Sequence, residues 1–240
     1  MRPRFVLFGD SITQGSFSPN GGWGASLANK YCRQADVVLR GYSGYNTRWA
    51  LFLLAKNFPE KSTHPPYLVT VFFGANDAVL LDSKDNSKHV PLEEYKSNLL
   101  KIVSHIKASN NAAHIILITP PPVSEEHLQI RAWENYGVPL SEPPSRRNET
   151  TEMYAKACIE ASKEANVAII DLWSSMQEQP GWQTKYLSDG LHLTPDGNSF
   201  VFEKLLEVLK AKGLCSEAMD FDFINFPQID ANDPLKSFIF

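Results

Sequence analysis

The chain has 240 residues, 43% of them apolar and 21% charged, which is ordinary for a globular enzyme and long enough for one large domain or two small ones. Its formal net charge is −4 and its Lys and Arg are scattered, so it offers no basic patch to nucleic acid or to an anionic membrane. No apolar run approaches the roughly 18 residues of a bilayer span, so no membrane span is expected.

The opening "MRPRFVLFGDS" is basic and then briefly apolar at 5–8. That run is shorter than the roughly 7–15 residues of a secretory core, so "RFVLFG" at 4–9 reads as a first strand rather than a leader. A helix at 22–34 precedes a second strand, "DVVLRG", at 36–41. A helix at 46–57 leads to a third strand, "YLVTVFFG", at 67–74. In the helix at 91–108, Leu92, Tyr95, Leu99, Ile102, Val103 and Ile106 recur at helical spacing. Pro91 suits its first turn, and Glu93 and Glu94 suit the positive helix start.

A fourth strand, "HIILIT", occupies 114–119. The Pro-rich stretch 120–147 then reads as a long excursion; loops of this length are usually functional or mobile, so it either borders the site or is a surface insertion. "NET" at Asn148 matches a glycosylation acceptor, but without an export signal Asn148 reads as the cap of a helix at 148–165. A fifth strand, "VAIIDL", spans 167–172, and a last helix spans 195–212.

The five strand segments are rich in Val, Ile and Phe, as strands buried on both faces of a parallel sheet are. Their alternation with helices predicts an α/β fold, a three-layer α/β/α sandwich with a flavodoxin-like five-stranded sheet in the order 2-1-3-4-5. No linker divides the chain, so 1–213 forms one domain and 214–240 a tail. Phe221, Phe223 and Phe226 would leave an apolar patch if the tail floated freely. It therefore packs on the domain or on a second subunit, which makes a homodimer one expectation. Cys32, Cys158 and Cys215 are odd in number and lack metal spacing. They suit free thiols in a reducing compartment and, with no convincing leader, a cytoplasmic location.

In open α/β sheets, ligands bind beyond the carboxyl ends of the strands. Strands one to three end in "FGDSITQG", "RGYSGYNT" and "FFGANDA", each a Gly followed by small polar residues. Ser11 follows strand one in a tight turn near a positive helix start, where a developing anion is less costly. Its hydroxyl needs a base. Of six histidines, only His192 has a carboxylate, Asp189, held beside it by a short Gly-containing turn, "DGLH". Asp189 can fix the imidazole tautomer and stabilise the imidazolium. A metal reading of the same pair lacks further ligands: no H-x-x-x-H, C-x-x-C or second carboxylate–histidine cluster occurs. The Gly44 backbone N–H and the Asn76 side chain supply donors for an oxyanion at the same sheet edge.

"GDSIT", "RGYSGYNT", "GAND" and "DGLH" together resemble the four blocks of the SGNH, or GDSL-type, hydrolase superfamily, and span 9 to 192. "RGYSGYNTRWAL" and "FFGANDA" resemble, more narrowly, the isoamyl acetate-hydrolysing esterase branch and its plant GDSL esterase/lipase members. Ile12 stands where block one has Leu, one apolar packing residue for another. The resemblance implies a serine esterase or lipase in which Ser11 attacks, His192 is the base and Asp189 orients it. It also implies an oxyanion hole of Ser11 N–H, Gly44 N–H and the Asn76 side chain, with Asp10 as a supporting residue. No metal or organic cofactor is implied, and the expected partner is a small, short-chain ester. Alternatives with the same triad act on lysophospholipid, acetylated carbohydrate or a thioester, or transfer the acyl group to an alcohol. A flavodoxin-like binding module would need a Ser/Thr-rich phosphate loop where "FGDSITQG" stands.

Overall fold

The computed structural model describes residues 2–238. Five parallel strands, β1 (Arg4–Gly9), β2 (Asp36–Gly41), β3 (Pro66–Phe72), β4 (His114–Ile118) and β5 (Ala168–Ile170), form one sheet in the order β2-β1-β3-β4-β5. This is the order expected from the alternation of elements. The helices are α1 (Ser11–Gln14), α2 (Trp23–Lys30), α3 (Thr47–Leu51), α4 (Leu54–Asn57), α5 (Leu92–Ser109), α6 (Glu125–Tyr136), α7 (Asn148–Glu164), α8 (Leu172–Gln177), α9 (Trp182–Lys185) and α10 (Pro195–Ala211).

Side-chain alternation along the strands divides the core into two layers. Phe5, Leu7, Leu68, Phe72, Ile116 and Ile118 pack with Trp23 and Leu27 of α2 and with Val201, Leu205 and Leu209 of α10. Val6, Phe8, Val69, Val71, Ile115 and Leu117 pack on the opposite face with Leu99, Ile102 and Ile106 of α5 and Tyr154, Cys158 and Ala161 of α7. Both faces of the central strands are thus covered, which leaves their carboxyl ends for a site.

Four sequence expectations change. β2 is an edge strand with one neighbour, so it is only partly buried rather than enclosed on both faces. The helix read at 46–57 is two short helices, because Phe52 N–H and Leu53 N–H bond to Trp49 and Ala50 in a tightened i→i−3 turn. The excursion at 120–147 contains α6, which has no buried residue and hence no apolar stripe to betray it. Asn148 does not cap α7; it is the helix's first residue, and its side chain accepts from Val123 N–H and the Trp173 indole and donates to Gln177.

Residues 216–225 of the tail pack near the amino ends of β1 and β2. Asp222 binds Arg2 and Arg33, Phe221 lies under the Arg33 guanidinium, and Gln34 donates to the Ser216 and Met219 carbonyls. The three cysteines are free. No helix among the described residues is long and apolar enough to cross a membrane.

Candidate active site

Strand register brings the motifs together. Gly9 at the end of β1 pairs with Gly41 of β2 on one side and Phe72 of β3 on the other. Ser11, Gly44 and Asn76, each a few residues farther on, therefore emerge side by side at the carboxyl edge. Asp10 is buried and caps α1, its Oδ1 accepting from Ile12 N–H at 2.9 Å, so the helix starts at Ser11 and the serine backbone is fixed from below. Burial pushes the Asp10 carboxyl up to about 6, despite the opposing hydrogen bond from Ile12.

The fourth motif arrives from a loop before α10. An antiparallel bridge between Leu187 and Leu193 closes this loop, and Thr194 caps the helix that follows. Gly190 takes a φ of +85°, and a Cβ there would meet the Ser124 carbonyl oxygen at 2.6 Å, so only glycine fits. The turn lets Asp189 Oδ1 accept from the Leu191 and His192 N–H groups at 3.0 and 2.7 Å. His192 Nδ1 lies 2.7 Å from Asp189 Oδ2, and His192 Nε2 lies 2.9 Å from Ser11 Oγ. A carboxylate accepts only, so Nδ1 carries the proton and Nε2 is left to accept from the Ser11 hydroxyl. Burial alone would raise the Asp189 carboxyl, but the hydrogen bonds from His192 and Leu191 outweigh it and hold it at about 2.

Gly44 sits at φ +80° with open space where a Cβ would be. The N–H groups of Ser11 and Gly44 have no partner among the described residues. The Asn76 Nδ2 donates one hydrogen to the Tyr45 carbonyl at 2.9 Å, and Asn76, Gly44 and Ser11 line a common cleft. Below them Asp77, fully buried, accepts from Thr47 N–H and Thr47 Oγ, which ties the strand-two motif to the strand-three motif. Burial pushes the Asp77 carboxyl up to about 7.

All the residues singled out from the sequence, Asp10, Ser11, Gly44, Asn76, Asp189 and His192, thus meet at one edge. Two cavities flank Ser11 and His192. One, of about 330 Å³, is bounded by Ile12, Leu193 and Pro195 with small polar side chains. The other, of about 720 Å³, is walled by the 80s loop and by the 120–147 excursion, with Lys84, Asp85, Arg131 and Glu142 on its sides. The excursion therefore borders the site. Two of its residues went unrecognised. Arg131 reaches Asp189 Oδ2, and Arg146 is buried against Asn76. Neither has a spacing that marks it; only the path of α6 and the segment after it brings them there. Among the described residues, no group of three or more His, Cys, Asp or Glu side chains is placed to hold a metal ion.

Residues 7–200 match the family model described as "GDSL-like Lipase/Acylhydrolase family". The chain belongs to this family. Among curated relatives, a GDSL esterase/lipase of Arabidopsis thaliana is 51% identical over 238 residues, covering 99% of this chain and 98% of that protein. The human isoamyl acetate-hydrolyzing esterase 1 homolog is 43% identical over 212 residues, covering 88% and 82%. Among solved structures, a lipase/acylhydrolase from Enterococcus faecalis superposes with a TM-score of 0.67 at 23% identity, covering 93% of this chain and all of that one. Here the likeness is one of fold. This member of the GDSL-like lipase/acylhydrolase family is a carboxylic ester hydrolase.

Proposed function

We propose that this GDSL-family hydrolase cleaves small carboxylic esters by acyl transfer to Ser11. The observation that carries the reading is the unbroken relay from Ser11 Oγ to His192 Nε2 at 2.9 Å and from His192 Nδ1 to Asp189 Oδ2 at 2.7 Å. Ser11 Oγ attacks the ester carbonyl carbon as its proton passes to His192 Nε2. The carbonyl π pair moves to oxygen, which lies among the Ser11 N–H, the Gly44 N–H and the free N–H of Asn76. Collapse breaks the bond to the alkoxy oxygen, which leaves with the proton from His192. Water, deprotonated by His192, then attacks the acyl-enzyme and returns Ser11. Asp189 stays ionised throughout, because its carboxyl is held near 2.

The two cavities meeting at Ser11 and His192 give the acyl and alkoxy halves of an ester separate places, one compact and one wider. The charged side chains around the wider one disfavour a long acyl chain, since each would have to be desolvated against it. The same polar walls favour a second reading, an acylated polar alcohol such as an acetylated sugar. The decisive experiment is Ser11→Ala beside wild type, with hydrolysis of short nitrophenyl esters and covalent labelling by an uncharged phosphonate. Both should disappear in the folded variant; normal turnover by Ser11→Ala would overturn the reading.

A further inference from the structure

The Asn76 carboxamide can serve an oxyanion only if nitrogen, not oxygen, faces the cleft; an amide oxygen there would repel the developing charge. Its orientation is therefore a functional quantity, and two neighbours determine it. The Tyr45 carbonyl takes one Nδ2 hydrogen at 2.9 Å. On the other side, Arg146 Nη2 donates to Asn76 Oδ1 at 3.1 Å, while its Nε donates to the backbone carbonyl of Ala75 at 2.5 Å. A guanidinium cannot accept a hydrogen bond, so this grip forces Oδ1 inward and leaves the second Nδ2 hydrogen for the cleft. Arg146 is only 5% exposed. Among the described residues, no carboxylate lies within ion-pair distance of it; its third contact is the Ser145 hydroxyl at 3.2 Å. Burying a guanidinium without a contacting anion is expensive, and burial indeed pulls its proton affinity down. A neutral donor would hold the loop with less desolvation, so the charge itself calls for an explanation.

We propose that Arg146 is a positioning residue of the oxyanion hole, which fixes the Asn76 carboxamide with nitrogen toward the substrate and polarises its N–H through Oδ1. The proposal rests on the serine-esterase reading of Ser11, His192 and Asp189. Its charge acts where negative charge develops, so its effect belongs to the transition state rather than to the bound ester. It also explains why the segment that ends the excursion is fastened beside strand three, with Leu80 N–H bonded to the Ser145 carbonyl.

The test is a double-mutant cycle on the full chain with a short nitrophenyl ester, after circular dichroism has shown each variant folded. Arg146→Met should lower kcat by about 10–100-fold with KM nearly unchanged. Arg146→Lys keeps a cation but not the fork that reaches two carbonyl oxygens, and should lower kcat by less. If Arg146→Met does not fold, Arg146→Lys carries the cycle. In an Asn76→Ala background the same Arg146 change should alter kcat by only about twofold, because Arg146 acts through Asn76. An equal factor in both backgrounds, an unchanged kcat, or a rise in KM alone would overturn the proposal, since a plain structural clamp produces no such coupling. Phosphonate labelling separates the two levels. A wild type that is not labelled at Ser11 sinks the esterase reading, whereas a labelled wild type with an additive cycle sinks Arg146 alone.

Discussion

Arg131 Nη1 stands 2.9 Å from Asp189 Oδ2, the oxygen that also receives the hydrogen bond from His192 Nδ1. The carboxylate is nearly buried, but the Arg131 side chain is about half exposed, at 49%. An ion pair with one arm in water is screened, and such pairs contribute about 0.2–1 kcal/mol. Arg131→Ala is accordingly expected to lower kcat about fivefold at most. Asp189→Asn, which lets the amide hold the wrong imidazole tautomer, should lower it by about 10⁴. Steady-state kinetics on the pair, with a chelator control expected to leave the wild type unchanged, separates the two roles. Comparable losses would mean that Arg131 takes part in the reaction itself.

Asn76→Ala removes the side-chain donor from the proposed oxyanion hole. The expected result is a fall in kcat of about 10²–10³ with little change in KM, because the donor matters where charge develops. A variant altered in KM alone would assign Asn76 to binding of the ground state.

Asp77 supplies a pH test of stability. Its folded carboxyl sits at about 7, above the ordinary 3.8, because burial disfavours the charge. The folded state therefore holds more protons than the unfolded one between those values, and stability falls as pH rises from about 4 to 7. Asp77→Asn cannot ionise, so the Tm of the variant minus that of wild type should grow more positive across this window. The folded Asp10 carboxyl, at about 6, adds a background slope of the same sign to both proteins. Asp189 acts in a separate window, stabilising above about 4 and losing that contribution only as pH falls through about 2. A Tm difference that stays flat from pH 4 to 8 would mean that folding does not raise the Asp77 carboxyl across that range.

Acyl length tests the shape of the site. An apolar wall stabilises a chain by about 0.8 kcal/mol per methylene only while the chain stays enclosed. A long acyl group outgrows the compact cavity or, placed in the wider one, meets Lys84, Arg131 or Glu142. For nitrophenyl esters, kcat/KM should peak between acetate and hexanoate and fall toward palmitate. A steady rise through long chains, or a jump above the micellar concentration, would favour a lipid substrate.

Much of this molecule was readable from local pattern. Strand segments such as "YLVTVFFG" and the heptad-like spacing in 91–108 carry their own periodicity, so the sheet, its order and the principal helices followed from the sequence. Ser11, Gly44, Asn76, Asp189 and His192 were readable because each lies in a short turn whose glycine or cap is itself a sequence signal. Tertiary structure decided the rest. α6 has no buried face, so no periodicity announces it. Arg146 has the same chemistry as its neighbour Arg147, yet only one is buried beneath Asn76. Desolvation is a property of everything that surrounds a group, and no residue's identity or spacing contains it; that is why only the fold places Arg131 beside Asp189 and buries Arg146 against Asn76.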